Sequence, residues 1–415
     1  MNQSNVEFKP LILISQEYPY GTGETFLENE IPYFTTRFRP IYIIPAFKAK
    51  TKRTLPEHVI LVDSELQTDN KSVEFIRGIF SELRMFIDEW KKSPGFPFSA
   101  FLLYRIGRTL GVSKRVQNLI IEIVKKHNLE NGLIYSYWMT MACVGAILAA
   151  KELNWPVVSR AHGGDLYEER YHKNYLPFQK WKIHHLDGLF PISKHGNGYL
   201  RNRYPAVDTK ITTFRLGVAD RGFIKRKKKS RNIFHVASCS SVIPLKRVDK
   251  IFETVFELSK VMKDVHLIWS HFGTGSEMEK LKYRVENVKS ERLEVRLMGH
   301  VSNNKIISRY ISEEIDLFVN YSTTEGIPVS IMEAISCGIP VAAPNIGGIP
   351  EIINEECGLL FDVDTTPKNV AKQIEVNVSA GKLYEMGQKA RKQWQSQFDS
   401  DTNYKLFIEH LKTYL

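Results

Sequence analysis

Cysteine is scarce in this chain of 415 residues: Cys143, Cys239, Cys337 and Cys357 are the four present, with no CxxC pair and no metal-ligand spacing. That pattern excludes a disulfide-stapled framework and a zinc module, and it suits buried apolar residues in a reducing compartment. Long apolar runs are missing as well. Leu11 to Ile14 is strand-length, and Met139 to Ala150 falls short of the roughly 20 residues of a spanning helix. No segment resembles a signal peptide, so the expected location is the cytoplasm. There is no internal repeat and no low-complexity tract. What remains is globular in character, with 43% hydrophobic and 25% charged residues. The net charge of +11 points to an anionic partner, either a membrane surface or nucleic acid. The length suits two domains of about 200 residues rather than one core.

Apolar strand-like runs alternate with helical patterns almost throughout, which predicts an α/β chain. Leu11–Ser15, Ile41–Ile44, Leu133–Tyr135, Val157–Arg160, Gly188–Pro191 and Ile211–Phe214 read as the strands of a first doubly wound domain. The basic run Lys225 to Arg231 breaks the periodicity and reads as a linker or hinge. A second set follows at Phe234–Ala237, Leu267–Trp269, Leu293–Leu297, Leu317–Val319 and Val341–Ala343. The expected domains are therefore 1–222 and 223–398, with 399–415 as a C-terminal helical segment.

The segment Thr324 to Val363, TEGIPVSIMEAISCGIPVAAPNIGGIPEIINEECGLLFDV, is the most informative stretch. Glu325 sits in a loop with Gly326, Ile327 and Pro328, and Glu333 lies on the helix that Pro328 opens ahead of Val329. A helix starting there aims its first N–H groups and its positive dipole end into the loop, a setting for an anion such as a phosphate. Cys337-Gly338 closes the helix, Ile339 to Ala343 reads as a buried strand, and Gly347-Gly348 turns into a short helix before Gly358–Phe361. Upstream, Phe234–Ala237 leads to Lys246-Arg247 at the start of an amphipathic helix bearing Val248, Ile251, Phe252, Val255 and Leu258. Two cations at a helix N-terminus oppose the dipole. They make sense beside a diphosphate.

Glu-x7-Glu in the form EGIPVSIMEA, with SCGIPVAAPNIGGIPEII and GLLF after it, resembles the donor-binding signature of retaining family-4 glycosyltransferases of the GT-B fold. That resemblance implies two Rossmann-like domains facing a central cleft, with the C-terminal helix crossing back to the first domain. It implies that Lys246 and Arg247 hold the pyrophosphate of a nucleotide-sugar, that Glu325 binds sugar hydroxyls, and that Glu333 binds the ribose. Gly299-His300-Val301 resembles the loop passing the nucleotide base. The common Gly-Arg after the strand is replaced by Ser238-Cys239-Ser240, which leaves one phosphate contact missing or substituted. Trp269 to Gly275 holds a lone GxG, a weak dinucleotide signal.

In the first domain Gly21 and Gly23 lie after the first strand, ahead of a helix opening at Glu24 or Thr25. This loop resembles the Gly-rich acceptor loop of bacterial polysaccharide transferases, with Gly23 near the donor as well. His162, just past a strand end, is implied to touch the transferred sugar, and Asp165 the acceptor; Arg215 and Gly217 in FRLGV resemble the crossing between domains. Phe75 to His127 is rich in aromatic and basic residues, and basic amphipathic helices of that kind can lie on anionic lipid.

Asp362-Val363-Asp364 mimics a metal motif but is expected in a turn away from the phosphate loop. The resulting expectation is a retaining, metal-independent glycosyltransferase with a UDP- or GDP-sugar donor. Its acceptor would be a saccharide or undecaprenyl-type lipid-linked glycan of capsule, O-antigen or exopolysaccharide synthesis, reached from the cytoplasm or the inner face of the plasma membrane, with no nucleic acid. A sugar-nucleotide epimerase of the same fold and a basic nucleic-acid- or glycan-binding protein are the alternatives.

Overall fold

The computed structural model describes residues 8–21, 23–63, 66, 71–205, 210–223, 232–288 and 290–415. The chain splits into two compact units, Met1–Arg215 with Tyr404–Leu415, and Leu216–Asn403. The basic run expected to form a hinge lies outside the described residues.

The first unit contains strands β1 (Lys9–Ser15), β2 (Phe38–Pro45), β3 (Val59–Leu61), β4 (Leu133–Ser136), β5 (Val157–Ala161) and β6 (Gly188–Pro191). They form a sheet in the order β3-β2-β1-β4-β5-β6, and every pair is parallel. Its helices are α1 (Thr25–Phe34), α2 (Lys71–Ser81), α3 (Leu83–Lys92), α4 (Ala100–Lys126), α5 (Met141–Leu153), α6 (Gly163–Leu166), α7 (Gln179–His185) and α8 (Lys194–Arg203).

Continuous apolar strands follow from burial on both faces. In β1, Ile12 and Ile14 join the layer of α4 and α5, whereas Leu11 and Leu13 join Leu27, Ile31 and Phe34 of α1 on the other side. Phe407, Ile408 and Leu411 of the C-terminal segment pack into that second layer. Arg160 lies there too, wholly buried, pairing with Glu30 at 2.5 Å under the ring of Phe407.

The second unit repeats the plan with β7 (Ile233–Cys239), β8 (His266–Phe272), β9 (Leu293–Leu297), β10 (Leu317–Val319), β11 (Val341–Pro344) and β12 (Gly358–Phe361). Its order, β12-β11-β10-β7-β8-β9, is also parallel throughout. The connecting helices are α9 (Val248–Val261), α10 (Met278–Asn287), α11 (Asn303–Ser312), α12 (Val329–Ser336), α13 (Ile349–Ile352), α14 (Pro367–Ser379) and α15 (Leu383–Gln397), before α16 (Ser400–Leu411). All five apolar positions read for α9, from Val248 to Leu258, are buried in this unit's core. Both sheets have the Rossmann order, whose direction reverses between β1 and β4 and between β7 and β10. Ligands of open α/β sheets bind at the strand carboxyl ends beside such reversals.

Two expectations need correction. Ile211–Phe214 is no strand, since only Ile211 bridges to Leu189. Its carbonyls go to side chains instead: Arg201 binds that of Ile211 and Arg160 that of Phe214. Conversely, β3 is a strand that the sequence reading passed over, although Val59, Ile60 and Leu61 form a short apolar run.

Candidate active site

In the second unit the reversal point is built from the loops after β7 and β10. Asn320 to Pro328 leave β10, and Pro328 serves as N-cap of α12 with no side-chain hydrogen bond, so the positive end of α12 faces the loop. Glu325 is buried in that loop. Its Oε1 accepts from Lys246 Nζ at 2.6 Å, Ser322 Oγ at 2.6 Å and Asn320 Nδ2 at 3.4 Å. All three bonds enter through one oxygen, which fixes the carboxylate and leaves Oε2 for a ligand hydroxyl. The turn after β11 presses on the same loop. Gly347 is left-handed (φ 52°), and a side chain there would overlap the Glu325 carbonyl. Gly348 N–H donates to Gly326 O at 2.8 Å. These two glycines are thus required by close backbone approach.

Lys246 ends a short 3-10 turn and Arg247, left-handed at φ 45°, is the N-cap of α9. The structure therefore joins Lys246 to Glu325 across 79 residues of chain. Arg247 uses its side chain differently. Its Nε donates to Tyr321 O at 2.9 Å, its Nη2 to Val363 O at 2.8 Å, and the guanidinium lies over the Tyr321 ring at 5.1 Å. Two of five donors are so committed to positioning the β10 and β12 loops. The Val363 contact sets the turn of Asp362-Val363-Asp364 against the Arg247 side chain.

Glu333 is buried on α12, and its Oε1 accepts from Asn303 Nδ2 at the start of α11. Burial pushes its carboxyl up to about 7, with the Asn303 hydrogen bond and the charge of Arg221 pulling the other way. The loop holding Gly299 (φ 66°), His300 and Val301 leads directly into Asn303, and Gly299 O accepts from Gly273 N–H at 2.8 Å. His300 is exposed. The GxG of Gly273 and Gly275 is a close-packed turn, because side chains there would overlap the carbonyls of Ser240 and Val242. Ser238 Oγ bonds His271 Nδ1 and Trp269 Nε1, each at 2.9 Å, so this hydroxyl is tied into the sheet. Cys239 is pushed up to about 12 by burial and stays a thiol.

In the first unit the loop after β1 is an internally bonded clasp. Glu24, left-handed at φ 50°, precedes Thr25 at the start of α1. Its carboxylate accepts from the N–H groups of Gln16, Glu17 and Tyr18 and from Trp138 Nε1, at 2.6 to 3.0 Å. Gly23 N–H donates to Glu17 Oε1 at 2.6 Å, where a side chain would collide with that carboxylate. Gly21 (φ 62°) donates to Thr51 O at 3.0 Å. Asp165 is likewise committed: Oδ1 takes the N–H of His162 and Oδ2 that of Met139, both at 2.6 Å.

His162 differs. It is 4% exposed, and among the described residues neither ring nitrogen has a hydrogen-bond partner, Nδ1 lying 4.0 Å from Asp165 Oδ2. It sits among Trp138, Tyr137 and Phe26, with ring centroids 4.1, 5.1 and 5.9 Å away. Buried polar atoms without partners are rare in folded proteins, and here they mark capacity for a hydroxyl.

Sequence reasoning missed Ser322, Asn320 and Asn303. The first two stand close before Glu325, and Asn303 follows two residues after Gly299-His300-Val301, but small polar residues in loops carry no distinguishing pattern.

This architecture is the GT-B fold. HepE of Anabaena, solved with UDP and glucose, superposes with a TM-score of 0.65 at 16% identity, covering 98% of this chain and 100% of that one. Residues 230–378, holding the Lys246, Glu325 and Glu333 constellation, match the family model described as Glycosyl transferases group 1. A UDP-N-acetylglucosamine–peptide N-acetylglucosaminyltransferase GtfA subunit of Streptococcus agalactiae is 27% identical over 140 residues, 34% of this chain and 26% of that protein. The putative colanic acid biosynthesis glycosyltransferase WcaL of Escherichia coli K12 is 25% identical over 230 residues, 53% of each chain. The matched stretches thus span between about a quarter and about half of these curated relatives.

Proposed function

We propose that this chain is a glycosyltransferase that moves a sugar from a nucleotide-sugar onto a saccharide or lipid-linked saccharide in surface-polysaccharide assembly. The observation that carries this reading is the Lys246–Glu325 pair beside the N-terminus of α12, with buried Glu333 on the same helix. Lys246 and the first N–H groups of α12 would take the leaving diphosphate as preorganised electrostatics. Glu325 Oε2 would hold hydroxyls of the sugar, and Glu333 those of the ribose. In the first unit, His162 would take a sugar hydroxyl and the Gly21–Thr25 loop would face the acceptor.

The relative named for UDP-N-acetylglucosamine and the neighbour solved with UDP favour a UDP-sugar. The likeness to a colanic acid enzyme favours a polysaccharide product. Transfer with retention is the proposed stereochemistry, the leaving phosphate helping to deprotonate the acceptor. Lys246 and the helix end supply the positive charge a diphosphate needs, so the reaction is proposed to run without a divalent metal.

The test is ligand-induced thermal stabilisation by UDP-, GDP- and ADP-sugars with EDTA present. At 100 times the dissociation constant a donor adds about 2.7 kcal/mol. Stabilisation by one nucleotide class, lost in Lys246→Ala, supports the reading. Folded protein that none of them stabilises would overturn it.

A further inference from the structure

Large apolar side chains are exposed with an uneven distribution. Val73, Ile76, Phe80, Leu83, Phe96, Phe98 and Phe101 lie within one short stretch of the first unit, and Phe98 (92%) and Phe80 (81%) are the most exposed of all those described. On α2, Val73, Ile76 and Phe80 recur at helical spacing and so share one face. The opposite face is fully used: Glu74 is buried against Arg108 at 3.6 Å, and a side chain at Gly78 would overlap the Gly107 carbonyl of α4. Tight seating of α2 on α4 therefore leaves Ile76 and Phe80 directed to solvent. On the turn into α4, Phe98 stands out beside Phe96 and Phe101.

The charge around these residues is mainly positive, with half-buried Glu82 at the α2–α3 junction as one acid. Arg77, Arg84, Lys91 and Lys92 are exposed on α2 and α3, against Asp88 as the exposed acid. Glu89 is turned inward, accepting from Tyr175 Oη and Phe178 N–H. A second copy of this face would meet it with like charge. Aliphatic side chains such as Ile76 and Leu83 offer nothing to a nucleic-acid phosphate or base edge. Protruding aromatic and aliphatic groups ringed by Lys and Arg match the boundary between acyl chains and anionic headgroups.

We propose that the α2–α3 face and the Phe96–Phe101 turn form a docking surface for an anionic lipid bilayer. The surface is coupled to the His162 loop within the same unit. Phe101 packs edge-on against His172 at 5.1 Å, Arg105 lies over both Phe101 and Tyr171, and the Tyr171 hydroxyl donates to Gly164 O. A docked bilayer would thus lie a few side chains from the loop that carries His162. The docking stands independently of the proposed reaction, since it rests on surface residues that the donor site does not use.

The test is co-sedimentation of the full chain with vesicles of phosphatidylcholine alone or mixed equally with phosphatidylglycerol. Binding to the anionic vesicles is expected to exceed that to neutral ones by at least about tenfold. The pair Phe80→Asp and Phe98→Asp should lower it by at least about tenfold, as should Arg84→Glu with Lys91→Glu and Lys92→Glu. Tyr283→Asp, at an exposed aromatic of the second unit, should leave it unchanged, and the circular dichroism melts of all variants should match. Three results would each overturn the proposal. They are no preference for anionic vesicles, binding that survives the Phe substitutions, and sedimentation velocity showing a dimer that the Phe substitutions dissolve.

Discussion

Glu333 is the residue at which stability and ligand binding should oppose each other. Unfolded, its carboxyl has the ordinary value of 4.5; folded, burial raises it to about 7. Between those values the folded chain holds a proton that the unfolded chain has released. Stability from this group is therefore fully present below pH 4.5 and falls as pH rises through about 7. The displacement is worth about 3 kcal/mol at about 1.4 kcal/mol per unit. Glu333→Gln keeps the oxygen that accepts from Asn303 and removes the ionisation. It should match the wild type in acid and exceed its stability by about 2–3 kcal/mol near pH 8, read as several degrees in the thermal transition.

Nucleotide binding should move the opposite way. Two ribose hydroxyls donate best to a carboxylate, and one pH unit below the midpoint only about a tenth of Glu333 is ionised, so the apparent dissociation constant for UDP should rise about tenfold. Isothermal titration of UDP from about pH 8 to about pH 6 reads this step. In Glu333→Gln the affinity should be lower and flat with pH. Asn303→Ala removes a bond that favours the charged form, so the midpoint should shift upward. A wild-type affinity independent of pH, or a Gln variant no more stable at alkaline pH, would refute the assignment.

Lys246→Met should weaken UDP binding by at least about tenfold while changing uridine affinity little, because the lost contact is a charge-assisted bond to phosphate; parallel titrations of the two ligands measure it. Gly347→Ala puts a side chain at φ 52° against the Glu325 carbonyl. It should cost about 2–3 kcal/mol in chemical denaturation and reduce donor binding as well. Asp165→Asn replaces a carboxylate that accepts two buried backbone N–H groups, and should destabilise the protein by about 2–4 kcal/mol in urea melts without affecting UDP binding. His162→Phe preserves the aromatic packing and removes the ring nitrogens. Stability should be kept or slightly raised, since two buried polar atoms disappear, while sugar transfer falls by more than about tenfold.

How much of this was legible in the sequence depended on the kind of interaction. Buried parallel strands announce themselves as apolar runs, so Gly188–Pro191 and Leu317–Val319 were placed to the residue. Val59–Leu61 was passed over although it too is an apolar run, half-exposed at the sheet edge. Ile211–Phe214 was overread because a β-branched and aromatic segment whose carbonyls are bound by Arg201 and Arg160 looks like one bound by a strand. The glycines at 21 and 23 were visible, but their reason was not. Each suggests open space for a ligand, whereas the Gly23 backbone closes on the Glu17 carboxylate. Polar partnership is set by which loops the sheet order brings together, and periodicity carries no record of it.

The Lys246–Glu325 pair shows why those unread partners matter. An ion pair at a buried carboxylate ordinarily resists exchange, because removing the cation strands a charge at a cost of several kcal/mol. A diphosphate that recruits Lys246 would meet that penalty if Lys246 were the only donor to Glu325. Ser322 at 2.6 Å and Asn320 at 3.4 Å share the same oxygen, so Glu325 remains hydrogen-bonded when the ammonium turns away. Lys246 is the more accessible partner, its side chain 25% exposed against 9% for Glu325, and it is the one free to move. Glu325 and Lys246 could be named from their motif, but their exchangeability could not. It comes from a serine and an asparagine that only the turn after β10 sets beside them.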